Sequence, residues 1–294
     1  MLPQEAIHLW MQRKPAFFST TIATALLYTK PDMPPSPHPT LPTAWPYPRW
    51  IAHRGAGKLA PENTLAAFQI GARHGYRMFE CDVKLSLDGV PFLLHDDTLE
   101  RTSNAASVWK PDQSLVAGEN SWNTLSALDA GSWHSDVYSG QRLPLLQEIA
   151  GFCIAGKHFL NLEIKPSPGT DRITGQVVAE HVARLWQECP VAPLLTSFKV
   201  DALQGALTAH STLPRGLLLD TLWDGWLETA IALQCVAIVC QHRLIDKPMA
   251  TRVQEAGLRL LSYTVNDAAT ADRLLALGVD GLITDRVDYF KPDA

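Results

Sequence analysis

The chain has 294 residues, 46% of them hydrophobic and 19% charged, and a formal net charge of −5. A chain of this length buries about three quarters of the surface it exposes when unfolded, so a barrel-sized core stands without disulfide staples. With 25 Lys and Arg against 30 Asp and Glu, and no basic stripe, the composition excludes nucleic acid as an expected partner.

In chain order, Arg13-Lys14 precede a mildly apolar run over 16–28 that is interrupted by Ser19, Thr20, Thr21 and Thr24 and followed by no small-x-small cleavage site. Residues 31–48 then hold eight prolines, which neither a helix nor a central strand accommodates. Residues 1–44 are therefore expected to be a poorly ordered leader or linker, with Met33 as an alternative start, and the fold is expected to occupy 45–294. From there, strands are predicted over 50–54, 78–85, 158–165, 194–198, 216–220, 237–241, 259–265 and 281–284. Helical periods are predicted over 63–74, 174–188, 200–209, 225–234, 249–256 and 268–277, with Gly75, Gly257 and Gly278 as C-terminal stops. Eight such units in about 250 residues predict an α/β fold, a (β/α)8 TIM barrel. An open doubly wound sheet is the alternative, but no GxGxxG follows the first strand. One irregularity follows the second strand: Leu87-Asp88-Gly89 reads as a hairpin turn, and about 97–142 reads as a small inserted subdomain on the rim. Its Trp109, Trp122 and Trp133 read as that insert's own core.

No stretch of 18 apolar residues is present, so no stable membrane association is expected. Cys81, Cys153, Cys189, Cys235 and Cys240 lack CxxC spacing and read as thiols of a reducing compartment.

Barrel enzymes carry their chemistry at the C-terminal ends of strands. Four such ends are polar here: His53-Arg54-Gly55, Glu80-Cys81-Asp82, His95-Asp96 and Glu163-Ile164-Lys165. On a strand, residues two apart share a face, so Glu80 joins Asp82 and Glu163 joins Lys165. Three convergent carboxylates repel unless a cation compensates, and an oxygen-only set suits a hard divalent ion. The competing reading is a polar layer in which Glu80, Asp82 and Glu163 pair with Arg54, Lys84 and Lys165. His53 and His95 are suited to proton transfer, and Arg54 and Lys165 to an anion. A metal, two cations and two proton carriers together describe phosphoryl chemistry, or a site that merely holds phosphate.

With Pro61-Glu62-Asn63-Thr64, Asp88-Gly89, Asp129-Ala130-Gly131-Ser132-Trp133, Thr264-Val265-Asn266 and Ile283-Thr284-Asp285 added, the ordered set closely resembles the glycerophosphodiester phosphodiesterase family, in its bacterial cytoplasmic form, from about 50 to 287. The resemblance implies a TIM barrel that hydrolyses glycerophosphodiesters to sn-glycerol 3-phosphate and an alcohol. It places the metal on Glu80, Asp82 and Glu163, acid/base catalysis on His53 and His95, and phosphate contacts on Arg54 and Lys165. It favours Mg²⁺ over Ca²⁺ and the cytoplasm over the periplasm. Glu62 and Asn63, in the family's Pro-Glu-Asn-Thr element, either belong to the site or start the first helix, with the cap as the preferred reading for Asn63, and Tyr263 stands where the family often has Trp. A lipid or lysolipid head-group phosphodiesterase and a non-catalytic phosphate-binding barrel remain as alternatives. The residues assign neither the acid and base between the histidines nor an oligomeric state.

Overall fold

The structure is a computed structural model that describes residues 45–292. The leader expected over 1–44 lies outside the described residues.

Short runs of Leu, Ile and Val form strands here because both faces of a parallel sheet are covered. They are β1 (Trp50–Ala52), β2 (Met78–Leu85), β3 (Pro91–Leu93), β4 (Phe159–Ile164), β5 (Leu194–Ser197), β6 (Arg215–Leu219), β7 (Ala237–Gln241), β8 (Arg259–Tyr263) and β9 (Gly281–Thr284). β3 folds back antiparallel on β2, pairing Leu93 with Val83. The other ladders are parallel, and β1 pairs with both β9 and β2, closing an eight-stranded barrel. Around it lie α1 (Leu65–Arg73), α4 (Leu146–Ala155), α5 (Asp171–Leu185), α6 (Val200–Ala209), α7 (Trp226–Ala232), α8 (Lys247–Glu255) and α9 (Ala268–Ala276), while α2 (Ala105–Val108) and α3 (Trp122–Leu125) belong to the rim. This is the (β/α)8 architecture expected from the sequence.

Several boundaries differ for identifiable reasons. β1 ends two residues early because Arg54 and Gly55 adopt φ of 50° and 97°, which no strand continues. α1 starts at Leu65, with Thr64 accepting from the Ala67 amide as its cap. α4 has no counterpart among the predicted helices, although Leu146, Ile149, Ala150 and Cys153 form its buried stripe. It follows directly on the aperiodic insert, which conceals where the barrel resumes.

Strand alternation divides the core into two layers. Phe79, Cys81 and Val83 point outward to the helices, with Phe68, Ile149, Leu162 and Val178. Ile51, Met78, Leu194, Leu218, Leu261 and Ile283 fill the barrel interior. The rim segment packs Leu99, Ala105, Ala117, Leu125 and Leu128 onto Phe92 and Leu94 of the hairpin. Trp109 and Trp122 pack against that cluster, as expected, whereas Trp133 stays 37% exposed. Four of the five cysteines are buried, and all five are free thiols.

Candidate active site

On β2, Met78 belongs to the interior plug, so the pleat turns Glu80 and Asp82 into the barrel above it. The β2–β4 register sets Asp82 beside Glu163. Carboxylate oxygens of Glu80, Asp82 and Glu163 consequently lie within 4.8 Å of one another, on three buried side chains. Burial, reinforced by the charges of Asp82 and Glu163, pushes the Glu80 carboxyl well above the usual range. Glu163 is pushed up to about 7 by burial and then by Asp82. Asp82 goes the other way: burial resists its ionisation, but Arg54, His95, Lys165 and an Asn63 hydrogen bond hold it below the usual range.

His53 follows β1, and its Nδ1 lies 2.6 Å from Asp285 Oδ1. Asp285 follows β9, the neighbour of β1 in the barrel. Asn266 anchors this carboxylate by donating Nδ2–H to Oδ2 at 3.0 Å and accepting the Asp285 amide at 2.9 Å. Despite burial, the His53 and Asn266 donors hold Asp285 down to about 2. The Nε2 edge of His53 faces the acidic cluster, 3.8 Å from Glu80 Oε2. His95 follows β3 and repeats the arrangement, with Nδ1 2.6 Å from Asp96 Oδ1. Its Nε2 lies 3.0 Å from Lys165 Nζ, which also donates to Glu163 Oε1 at 3.1 Å. Burial, helped by the positive charges of Arg54 and Lys165, lowers the His95 pKa.

The left-handed turn after β1 sends the Arg54 amide to Glu80 Oε2 at 3.0 Å and its guanidinium to Glu62 Oε1 at 2.7 Å. Arg54 Nε lies 3.4 Å from Asp82 Oδ2 in an ion pair. Arg101, from the rim segment, grips Glu62 with two hydrogen bonds of 2.7 and 2.8 Å and Asp96 with two of 2.6 and 3.0 Å. A continuous chain of charge-assisted hydrogen bonds thus joins His95 to Arg54. Asn63, at φ 57°, donates to Asp82 Oδ2 at 2.7 Å and accepts the Asp82 amide at 3.1 Å. Of its two expected readings the preferred one, helix cap, is therefore corrected: the cap is Thr64, and Asn63 is a clamp on Asp82.

All seven residues singled out from the sequence meet at one mouth. Six of them line a cavity of about 180 Å³, and Phe198, Leu218 and Tyr263 form its apolar side. Tyr263 donates its hydroxyl to the Leu219 carbonyl at 2.9 Å, so its ring presents edge and face but no free polar tip. Asp285, Asn266, Asp96 and Arg101 have roles that the sequence motifs contain but do not reveal. Their signal is positional, since each follows the C-terminal end of a barrel strand or of the hairpin.

A model of the Glycerophosphoryl diester phosphodiesterase family matches residues 53–289. The chain belongs to this family. A glycerophosphodiester phosphodiesterase from Caldanaerobacter subterraneus subsp. tengcongensis is 30% identical over 241 residues, covering 80% of this chain and 93% of the relative. YhdW of Bacillus subtilis is 29% identical over 249 residues, 83% of this chain and 96% of that one. Among solved structures, an Oleispira antarctica phosphodiesterase in complex with the product sn-glycerol-3-phosphate matches at TM-score 0.74 and 31% identity, covering 81% and 93% of the two chains. The protein is thus a glycerophosphodiester phosphodiesterase. The family is metal-dependent, and this member's donors fit a metal. Three carboxylates outnumber Arg54 and Lys165 by one, and burial together with the neighbouring carboxylates holds two of the three toward the protonated form, which a bound cation would reverse. In this phosphodiesterase no described helix is long and apolar enough to cross a membrane.

Proposed function

We propose that this chain hydrolyses glycerophosphodiesters to sn-glycerol 3-phosphate and an alcohol, with one divalent cation, Mg²⁺ in preference to Ca²⁺, held by Glu80, Asp82 and Glu163. The observation that carries the reading is the acidic triad, confined within 4.8 Å, beneath two imidazoles that each keep Nδ1 on an aspartate. The product bound in the Oleispira antarctica phosphodiesterase supports glycerol phosphate as the product here. When bound, the cation supplies electrostatic stabilisation of the phosphate oxygens.

Arg54 and Lys165 bring two further positive charges to a phosphate placed over the triad, a fork and a point charge. His53 and His95 line the cavity, with Nε2 directed toward Glu80 in the first and Lys165 in the second. One takes a proton from the attacking oxygen, of water or of a neighbouring glycerol hydroxyl whose cyclic phosphate water then opens, as the new P–O bond forms. The other returns a proton to the alcohol oxygen as the old P–O bond breaks. Such proton transfer contributes about 10²–10⁴ in rate, roughly 3–5 kcal/mol of barrier. Free thiols throughout suit a reducing cytoplasm. With Trp109 and Trp122 packed into the rim cluster, an intact-lipid substrate has less apolar surface to engage.

The test is a coupled glycerol 3-phosphate dehydrogenase assay on the purified chain with Mg²⁺, Mn²⁺ or Ca²⁺ in turn. Glycerol phosphate is expected from glycerophosphocholine, glycerophosphoethanolamine or glycerophosphoinositol, and its release should stop on chelation. Absence of product from all three with every cation would leave a phosphate-binding barrel. Head-group release from phosphatidylcholine vesicles, with strong sedimentation on them, would defeat the water-soluble substrate.

A further inference from the structure

A second cavity, of about 450 Å³, opens on the far side of His53 and Arg54. It shares those two residues with the smaller cavity, which contains the position assigned to the phosphate, so the larger space lies next to that position. A phosphodiester has two arms. The space of about 180 Å³ bounded by Phe198, Leu218 and Tyr263 matches a three-carbon arm, and the larger space has room for the other.

This second cavity is a constructed one. The turn after β1 supplies Lys58, and the rim segment supplies Trp133 and His134. His134 Nε2 lies 3.1 Å from the Lys58 carbonyl, and the Tyr138 hydroxyl donates to the Leu59 carbonyl at 3.2 Å, so the two walls are tied together. Trp133 donates its indole N–H to the Ala130 carbonyl at 2.8 Å and meets the His134 ring edge-on at 5.6 Å, which fixes the ring while leaving it 37% exposed. Among its lining residues Arg54, Lys58 and Arg101 face Glu62 and Asp285. Both arginines are paired with Glu62, whereas the Lys58 ammonium makes no ion pair among the described residues. Of the arginine and lysine residues lining this cavity, Lys58 is thus the one without an ion pair among the described residues, and it shares the space with an indole.

We infer that this cavity receives the alcohol arm of the substrate and selects a polyol over an alcohol bearing an ammonium group, with Lys58 and Trp133 as specificity-determining residues. The inference rests on the phosphodiesterase reading above. A polyol ring lays its C–H face on the indole and offers hydroxyls to Lys58 and Arg101. An ammonium head group meets the Lys58 charge and is rejected by repulsion, the element on which selectivity most depends.

The experiment compares glycerophosphoinositol with glycerophosphocholine on the full chain, by kcat/KM with Mg²⁺ and, separately, by calorimetric Kd in the presence of chelator. Lys58→Glu should lower the inositol-to-choline ratio at least about tenfold in both measurements, a change of about 1.4 kcal/mol. Trp133→Ala should weaken glycerophosphoinositol through KM more than through kcat. Lys58 is exposed, and unchanged melting of its variant would confirm that the fold is kept. Ratios unmoved in both variants would overturn the subsite while leaving the hydrolytic reading intact. A Kd ratio that moves as stated, with no glycerol phosphate released, would uphold the subsite and remove hydrolysis.

Discussion

His53 and His95 come from different elements, yet each is held at Nδ1 by a carboxylate 2.6 Å away. Such a partner fixes the ring and its tautomer and leaves Nε2 to exchange protons. His53→Ala and His95→Ala are each expected to lower kcat at least about a hundredfold with unchanged melting. Asp285→Asn keeps the shape but removes the charge, so kcat should fall about 10–100-fold with KM little changed. Wild-type turnover in that variant would strip Asp285 of its orienting role. Asn63 acts on the acidic side of the same site. Its two hydrogen bonds hold a carboxylate and an amide that are both buried, and Asn63→Ala leaves the amide without that partner and the carboxylate with its ion pairs alone. The expected cost is about 1–3 kcal/mol in chemical denaturation. Metal affinity, read by calorimetry, should fall about 10–100-fold. Pattern reading misplaces Asn63 because an Asn ahead of a helix is usually a cap, and only tertiary structure reveals that Thr64 takes that position and frees Asn63 for Asp82.

At the level of elements, the site depends on how closely α1 approaches the turn after β1. Gly71 lies where a Cβ would meet the Gly55 carbonyl oxygen at 2.1 Å and the Phe79 ring at 2.8 Å. Gly71→Ala must therefore push the 53–55 turn, which carries His53 and Arg54. A loss of about 1–3 kcal/mol in stability is expected, together with a fall in kcat/KM from misplaced groups. Wild-type melting and kinetics would mean that the helix yields instead of the turn. The eight parallel strands and the hairpin were legible because apolar runs alternate with helical periods and stop at Gly75, Gly257 and Gly278, all of which adopt positive φ. The triad was legible for a simple reason, since a period of two forces Glu80 and Asp82 to one face. Two kinds of feature were not legible. α4 abuts an aperiodic segment that masks its stripe, and Arg101 joins Asp96 to Glu62 across 39 residues, a contact that no local pattern encodes.

For the whole molecule, an apolar plug in the lower barrel supports a mouth whose acids are poorly compensated, so proton uptake, cation binding and folding stability are linked. Glu163 shows the sign. Its carboxyl is raised in the folded chain from 4.5 to about 7, so the protonated form favours folding. That contribution is fully present below 4.5 and disappears as pH climbs through about 7. His95, lowered by burial, acts oppositely over part of this window, so the raw melting curve mixes two trends. A difference measurement separates them. Glu163→Gln stands in permanently for the protonated acid, and in chelator its melting temperature relative to wild type should rise from about pH 5 to about pH 8 and then level. A saturating divalent cation should reverse the order, lifting wild type strongly and the variant weakly, because the cation takes the place of the missing proton only where a carboxylate remains. A melting difference that is flat or falls across this interval would show that Glu163 folds as an ordinary carboxylate. A cation that stabilises both chains equally would place its binding away from the triad.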